Sequence, residues 1–172
     1  MTNTVVVVGG TAGTGKTTIG EEIAKSLDCP FVEGDQLHPQ SNVEKMSQGI
    51  PLTDDDRWGW LEEVAQEGSK RAETSSISVV TCSALKQVYR DLIQKVANNA
   101  NVIYVFLYAS KEELIKRTNA RSGHFMKSTM IESQLDTLEL PTGNDNALCI
   151  DVENKSVEEI KQLGLEFIKT KV

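Results

Sequence analysis

Residues Thr4–Val8 end in four consecutive valines and are too uniformly apolar for a strand with one wet face, which predicts a central parallel strand covered on both sides. Beyond it, Ile19, Ile23 and Leu27 recur at helical spacing. Cys29 to Asp35 predicts a second, short strand that ends at Gly34 and Asp35, and Pro39 is placed to open a short helix that stops near Gly49. Thr53 is set to cap a longer helix, with acidic residues in its first turn and Trp58, Leu61, Ala65 and Gly68 along one face. Ile77–Cys82 predicts the third strand, and Ser83 the cap of a helix striped by Leu85, Val88, Leu92 and Val96. Val102–Tyr108 is the fourth strand, and Ser110 with Glu113 forms a capping-box pattern for the helix after it. Ala147–Val152 is the fifth, and Ser156 with Glu159 caps a final helix carrying Val157, Ile160, Gly164 and Phe167 on one side.

Strands that alternate with helices predict an α/β fold, a three-layer α/β/α domain over residues 1–172 around a five-stranded parallel sheet. One stretch departs from the pattern. Around Arg117, Arg121, Gly123, His124 and Lys127 the chain turns basic and loses a clear apolar face, and residues 118–138 are expected to form a helical lid. A turn-rich loop from Pro141 to Asn146 follows.

The chemistry is concentrated where the first strand meets the first helix. Gly10-Thr11-Ala12-Gly13-Thr14-Gly15-Lys16-Thr17-Thr18 has the spacing G-x-x-x-x-G-K-[ST] of a P-loop, in a strand-to-helix setting. The glycines allow successive backbone N–H groups to turn toward phosphate oxygens. Lys16 can place an ammonium on the β and γ phosphates, Thr17 is the expected Mg²⁺ ligand, and the helix N-terminus favours the same anion. A net charge of −7 speaks against nucleic acid or an acidic membrane as the main partner, so positive potential has to be local. Cys29, Cys82 and Cys149 are odd in number, lack metal-ligand spacing and read as reduced core thiols. No stretch reaches membrane-spanning length and the N-terminus carries no charged leader pattern, so a cytoplasmic protein is expected.

Moving a phosphoryl group requires cations from a segment able to close, an acceptor held in line, and a carboxylate near its hydroxyl. Arg117, Arg121 and Lys127 fit the first need and Asp35 the last, although Asp35 also suits a turn. His38, Lys45, Arg57, Lys86 and Arg90 fall in segments after the second and third strands, facing the same crevice, while each taken singly reads as a surface charge.

Five blocks carry a more specific likeness: Gly34-Asp35-Gln36-Leu37-His38-Pro39, Asn42 to Met46, Gly49 to Arg57, Cys82 to Lys86 with Tyr89-Arg90-Asp91, and Gly123-His124-Phe125-Met126. Together they resemble the gluconate kinases, P-loop small-molecule kinases related in fold to shikimate and nucleoside monophosphate kinases. The resemblance implies transfer of the ATP γ-phosphate to the 6-hydroxyl of D-gluconate, with Mg²⁺. It implies Lys16, Asp35 and Arg121 as catalytic residues, with Asp35 orienting or deprotonating the hydroxyl. His38, Lys45, Arg57 and Arg90 would hold the sugar acid with help from Lys86, and His124 would close over it. Arg117 and Arg121 would meet the phosphates, and Pro141 would line the base pocket. Relatives often have Asp-Gly-Asp where this chain has Glu33-Gly34-Asp35, and Glu33 is expected either to reach Mg²⁺ through water or to be a turn residue. A homodimer is the family-level expectation. Two other readings stay open: a kinase of this fold for another small hydroxylated acid such as shikimate, and a nucleotide-binding switch without an acceptor.

Overall fold

The computed structural model describes residues 3–120 and 128–172. Among these residues, β1 (Asn3–Gly10), β2 (Phe31–Glu33), β3 (Ile77–Thr81), β4 (Ala100–Tyr108) and β5 (Ala147–Asp151) form one sheet in the order β2-β3-β1-β4-β5. All pairings are parallel. β1 is central, with Val6 opposite Val79 on one side and Ile103 on the other.

The valine run is explained by its two neighbours in depth. Val5 and Val7 pack with Leu61, Val64 and Ile93 beneath α3 (Asp54–Ser75) and α4 (Gln87–Val96). Val6 and Val8 face the other way, into Ile19, Ile23 and Ile168 of α1 (Lys16–Leu27) and α7 (Val157–Lys171). Alternate side chains of a strand point to opposite faces, so a strand buried on both needs apolar residues throughout. The short α2 (Gln40–Ser47) bridges β2 and α3. Between β4 and β5 lie α5 (Lys111–Ala120) and α6 (Ser128–Thr137), which send Leu114 and Ile131 into the α1 side of the core and are tied by a Lys111–Glu132 ion pair of 2.6 Å. The expected lid contains residues 121–127, so Arg121, His124 and Lys127 lie outside the described residues. Among the described residues, no helix is long and apolar enough to cross a membrane.

Capping separates the helices into two kinds. Thr53 and Ser156 begin α3 and α7 with reciprocal capping boxes, which satisfy orphan N–H donors. α1 begins instead after Gly15 in a left-handed conformation, with no side-chain cap, which leaves its first N–H groups without an intrahelical partner.

Four expectations shift. Ser83 does not cap α4: residues before Gln87 are not helical, and the Ser83 carbonyl accepts the Gly10 N–H at 3.1 Å. Leu85 therefore enters the core from that loop, and the helical phase counted from it does not carry over. The buried face of α4 is Tyr89, Arg90 and Ile93, and Val88 is 50% exposed. On α3 the fully inserted indole is Trp60, with Trp58 only partly covered. On α7 Val157 is exposed, and Leu165 and Ile168 fill the core beside Ile160 and Gly164. Ser110 accepts the Glu113 N–H, but its own N–H goes to Glu153 because Glu113 is engaged by Arg117.

Leu61 is fully buried between α3 and the sheet. Leu61→Ala should cost about 2–5 kcal/mol, measured as a lower denaturation midpoint with an unchanged m-value.

Candidate active site

The P-loop geometry follows from its glycines. Gly10, Gly13 and Gly15 have φ of 137°, 87° and 91°, and a Cβ on Gly10 would lie 2.3 Å from the Leu107 carbonyl. Inside the loop, the Thr11 carbonyl accepts from Thr14 Oγ1 at 2.9 Å and from Lys16 Nζ at 3.0 Å. This holds the Lys16 ammonium over the loop. The Ala12 N–H donates at 2.7 Å to Gln134 Oε1 of α6, a contact across 122 residues that ties α6 to the loop.

Glu33 links this loop to the end of β2. Its Oε2 accepts from Thr17 Oγ1 at 2.5 Å, and its Oε1 accepts from the Thr81 hydroxyl. The same Thr81 oxygen accepts the Gly34 N–H at 3.0 Å. The chain passes so close that a Cβ on Gly34 would stand 1.9 Å from the Thr81 carbonyl oxygen. A carboxylate and a hydroxyl set beside a phosphate-binding loop are hard oxygen donors suited to Mg²⁺ that keeps several waters.

The acceptor side begins in the 3₁₀ turn Gly34–Leu37. Asp35 points outward, its side chain 70% exposed, and His38 Nε2 lies 4.0 Å from Asp35 Oδ1 with the imidazole only 3% exposed. Trp60 fixes both ends of this turn: its indole N–H donates to the Gly34 carbonyl at 2.7 Å, and its ring stacks on His38 at 3.9 Å between centroids. Burial pushes the His38 imidazole below its usual range, and Arg57 adds to this against the opposing pull of Asp35.

Lys45, Arg57 and Lys86 converge on the same mouth, each already paired. Lys45 Nζ bridges both Asp56 oxygens at 2.9 and 2.8 Å, and this bond together with the Thr53 N–H pulls the Asp56 carboxyl down to about 2. Arg57 donates to the Tyr89 hydroxyl at 2.7 Å, Tyr89 donates to Asp54, and Lys86 Nζ reaches Asp54 at 3.1 Å. The Tyr89 bond and then Lys86 hold the Asp54 carboxyl below its usual range.

Two expected site residues lie elsewhere. Arg90 is 3% exposed and spends its guanidinium on the carbonyls of Ala84 and Glu139, each at 2.7 Å. It clamps the loop after α6 against the loop before α4. Pro141 begins just past that clamp and is not among the residues that line the cleft beside the P-loop. That cleft, of about 200 Å³, is bounded by Thr14, Gly15, Thr18, Arg117, Lys155 and Val157. Arg117 is held there by Glu113 at 3.0 Å and by the Val152 carbonyl at 3.2 Å, and Lys155 by the Asp151 carbonyl at 2.7 Å. Lys155, from the loop after β5, gave no periodic or motif signal, whereas Val157 was read only as part of the face of the final helix.

Asn42, Trp60, Tyr89 and Gln134 were not singled out as site residues by pattern. Each acts by fixing a neighbour; Asn42 and Tyr89 lie inside the blocks quoted above, whereas Trp60, three residues past Arg57, and Gln134, in the helix after the basic stretch, lie outside them.

An uncapped helix behind a glycine cradle, a carboxylate on the following strand and a cationic mouth beside them define a P-loop kinase of small molecules. The family model described as shikimate kinase matches residues 12–169. A probable gluconokinase of Saccharomyces cerevisiae is 47% identical, over 98% of this chain and 92% of that protein. The thermoresistant gluconokinase of Escherichia coli K12 is 36% identical, over 96% and 93%. The crystal structure of a gluconokinase from Sinorhizobium meliloti 1021 superposes with a TM-score of 0.86 at 42% identity, covering 98% of this chain and 92% of the other. The chain belongs to the shikimate kinase family of P-loop kinases and, within it, to the gluconokinases. A shikimate kinase from Acinetobacter baumannii shares the fold, with a TM-score of 0.61 at 18% identity over 99% of this chain and 95% of that one.

A histidine held neutral by burial binds fewer protons folded than unfolded, so stability rises with pH where the two states differ. His38 should therefore contribute fully above its ordinary value of 6.5 and lose stability as pH falls below it. Denaturation midpoints measured between pH 7.5 and 5 should fall less in His38→Gln than in the wild type; equal slopes would refute the assignment. Tyr89→Phe, which leaves the Arg57 guanidinium and Asp54 without their shared hydroxyl, should lower stability by about 1–3 kcal/mol in the same assay.

Proposed function

We infer that the protein transfers the γ-phosphate of ATP to the 6-hydroxyl of D-gluconate, giving 6-phospho-D-gluconate and ADP. The observation that supports this reading is the bond from Thr17 to Glu33, which leaves Asp35 two residues along the chain from a carboxylate attached to the phosphate loop. It is supported by the gluconokinase relatives, whose likeness spans nearly the whole chain.

The residues divide the work. The uncapped α1 terminus and the loop N–H groups hold the phosphates, and Lys16 neutralises charge on the group in transfer. Thr17 and Glu33 are the oxygens that would hold Mg²⁺, which when bound neutralises phosphate charge. In this reading Arg117, which lines the cleft with Thr18, covers the nucleotide, and the base lies between it and the loop carrying Lys155. Arg121 and His124 complete the closure over the phosphates and the sugar acid in this reading. Asp35 takes the acceptor hydroxyl and orients it toward the γ-phosphate; because such transfer has a loose transition state, the proton leaves late and orientation dominates.

Lys45, Arg57 and Lys86 hold the gluconate carboxylate and hydroxyls. Their internal partners do not forbid this. An ammonium has three donors and a guanidinium five, so a bound aldonate shares each cation with Asp54, Asp56 or Tyr89. The pairs fix the cations in place before the substrate arrives, which lowers the ordering cost of binding. A cytoplasmic setting is in line with the three free thiols and with ATP as donor. A homodimer is the assembly we expect, and a light-scattering mass of one chain would overturn it.

The decisive experiment is ADP release from Mg-ATP without acceptor and with D-gluconate, shikimate, glucose, other aldonates or AMP. Stimulation by gluconate is expected; binding of ATP with no stimulation by any acceptor would sink the kinase reading and favour a switch. Lys16→Ala should lower kcat by about 10²–10³-fold. Asp35→Asn should lower kcat far more than it alters the KM for ATP, and an unchanged kcat would remove Asp35 from the mechanism.

A further inference from the structure

The His38 ring is held on one face by Trp60 and at one nitrogen by Asn42, whose Nδ2 lies 3.2 Å from His38 Nδ1. Asn42 is itself 2% exposed. The same Nδ2 stands 2.8 Å from the carbonyl oxygen of Asp56, an atom that can only accept. The Asn42 side chain must therefore present its amide nitrogen at this point, with one hydrogen for Asp56 and the other for His38. An amide nitrogen has no lone pair to offer, so Nδ1 is the acceptor and a neutral ring carries its proton on Nε2. Nε2 is the nitrogen facing Asp35.

We propose that Asn42 is a positioning residue that fixes the His38 imidazole as the Nε2–H tautomer, so that an uncharged ring offers a donor to the acceptor hydroxyl beside Asp35. The role of the donor rests on the acceptor pocket described above; the tautomer does not. The charged groups facing the ring are Asp35 on its own turn and Arg57 from α3. Asp35 favours a cationic ring, while burial and Arg57 oppose it, and Asn42 turns its amide nitrogen, not its carbonyl oxygen, to Nδ1. The consequence is a division of labour. With Nδ1 occupied and Nε2 already protonated, His38 cannot take the hydroxyl proton, which leaves Asp35 as the one of the two able to receive it. His38 then directs its Nε2–H toward the hydroxyl oxygen beside Asp35, whose own carboxylate at 4.0 Å lies beyond a direct hydrogen bond.

Long-range ¹H–¹⁵N correlation on the full-length chain, above the ordinary imidazole range, reads the tautomer directly. There are two histidines, and His38→Gln identifies the His38 signals by their loss. A pyridine-type Nδ1 and a pyrrole-type Nε2 are expected in the wild type. In Asn42→Asp a carboxylate replaces the donor, and Nδ1 should become protonated. In the kinase assay Asn42→Ala should lower kcat with gluconate about tenfold and leave the KM for ATP within about twofold. A pyrrole-type Nδ1 in the wild type overturns the proposal, as does an Asn42→Asp ring with an unaltered tautomer or an Asn42→Ala enzyme weakened equally toward both substrates. If the Asn42 variants do not fold, the wild-type spectrum decides alone. Because that spectrum needs no substrate, an enzyme indifferent to gluconate with an Nε2–H ring would remove the acceptor reading and keep the tautomer.

Discussion

The passage of Gly34 against the Thr81 carbonyl is the contact on which the site depends. No side chain fits there, since a Cβ would stand 1.9 Å from a backbone oxygen, and this is a demand of close approach and not of an unusual φ. From that point bonds run in both directions. The Gly34 N–H goes to Thr81 and from there to Glu33 and Thr17, on the phosphate side. The Gly34 carbonyl goes to Trp60, which stacks on His38, on the acceptor side. Asp35 sits between the two, so donor and acceptor are referenced to one backbone position. In-line transfer tolerates little misplacement, and a single rigid reference removes most of the ways to lose alignment.

The acidic balance of the chain acquires a purpose in this frame. Lys45, Lys86 and Arg57 crowd one mouth, where their mutual repulsion would scatter long, flexible side chains. Asp56, Asp54 and the Tyr89 hydroxyl separate and aim them. The same Asp56 closes the capping box of α3 with Thr53, so the first turn of the helix and the aim of Lys45 are set by one carboxylate. Exposed pairs of this kind add little to stability. Their value lies in orientation.

Much of the fold was legible because its causes are local. The valine run could only be a strand covered on both faces, and the G-x-x-x-x-G-K-T spacing could only bind phosphate well at a strand-to-helix junction. Thr53 and Ser156 announced their helices through caps that use neighbours three residues away. The misreadings come where tertiary contacts override local pattern. Ser83 has a good capping residue's chemistry, but its carbonyl is engaged by Gly10, and the helix starts four residues later. A sequence displays the charge of Arg90, but not its burial or its two carbonyl partners, one of them 49 residues away. It does not display the cleft between Arg117 and Lys155 either, since the two come together only after β5 has paired with β4.

The two halves of the site are built from different material. The phosphate half is mostly backbone: glycine φ values, the uncapped start of α1, the Thr11 carbonyl that holds Lys16. The acceptor half is almost entirely side chains, arranged in pairs on the turn after β2, on α2, on α3 and on the approach to α4. Replacing those pairs can change what is recognised without altering the loop, because none of their hydrogen bonds is made to a P-loop residue. A shikimate kinase with the same fold at 18% identity is what such a division permits: the architecture sets where a phosphoryl group is delivered, and a few paired side chains set what receives it.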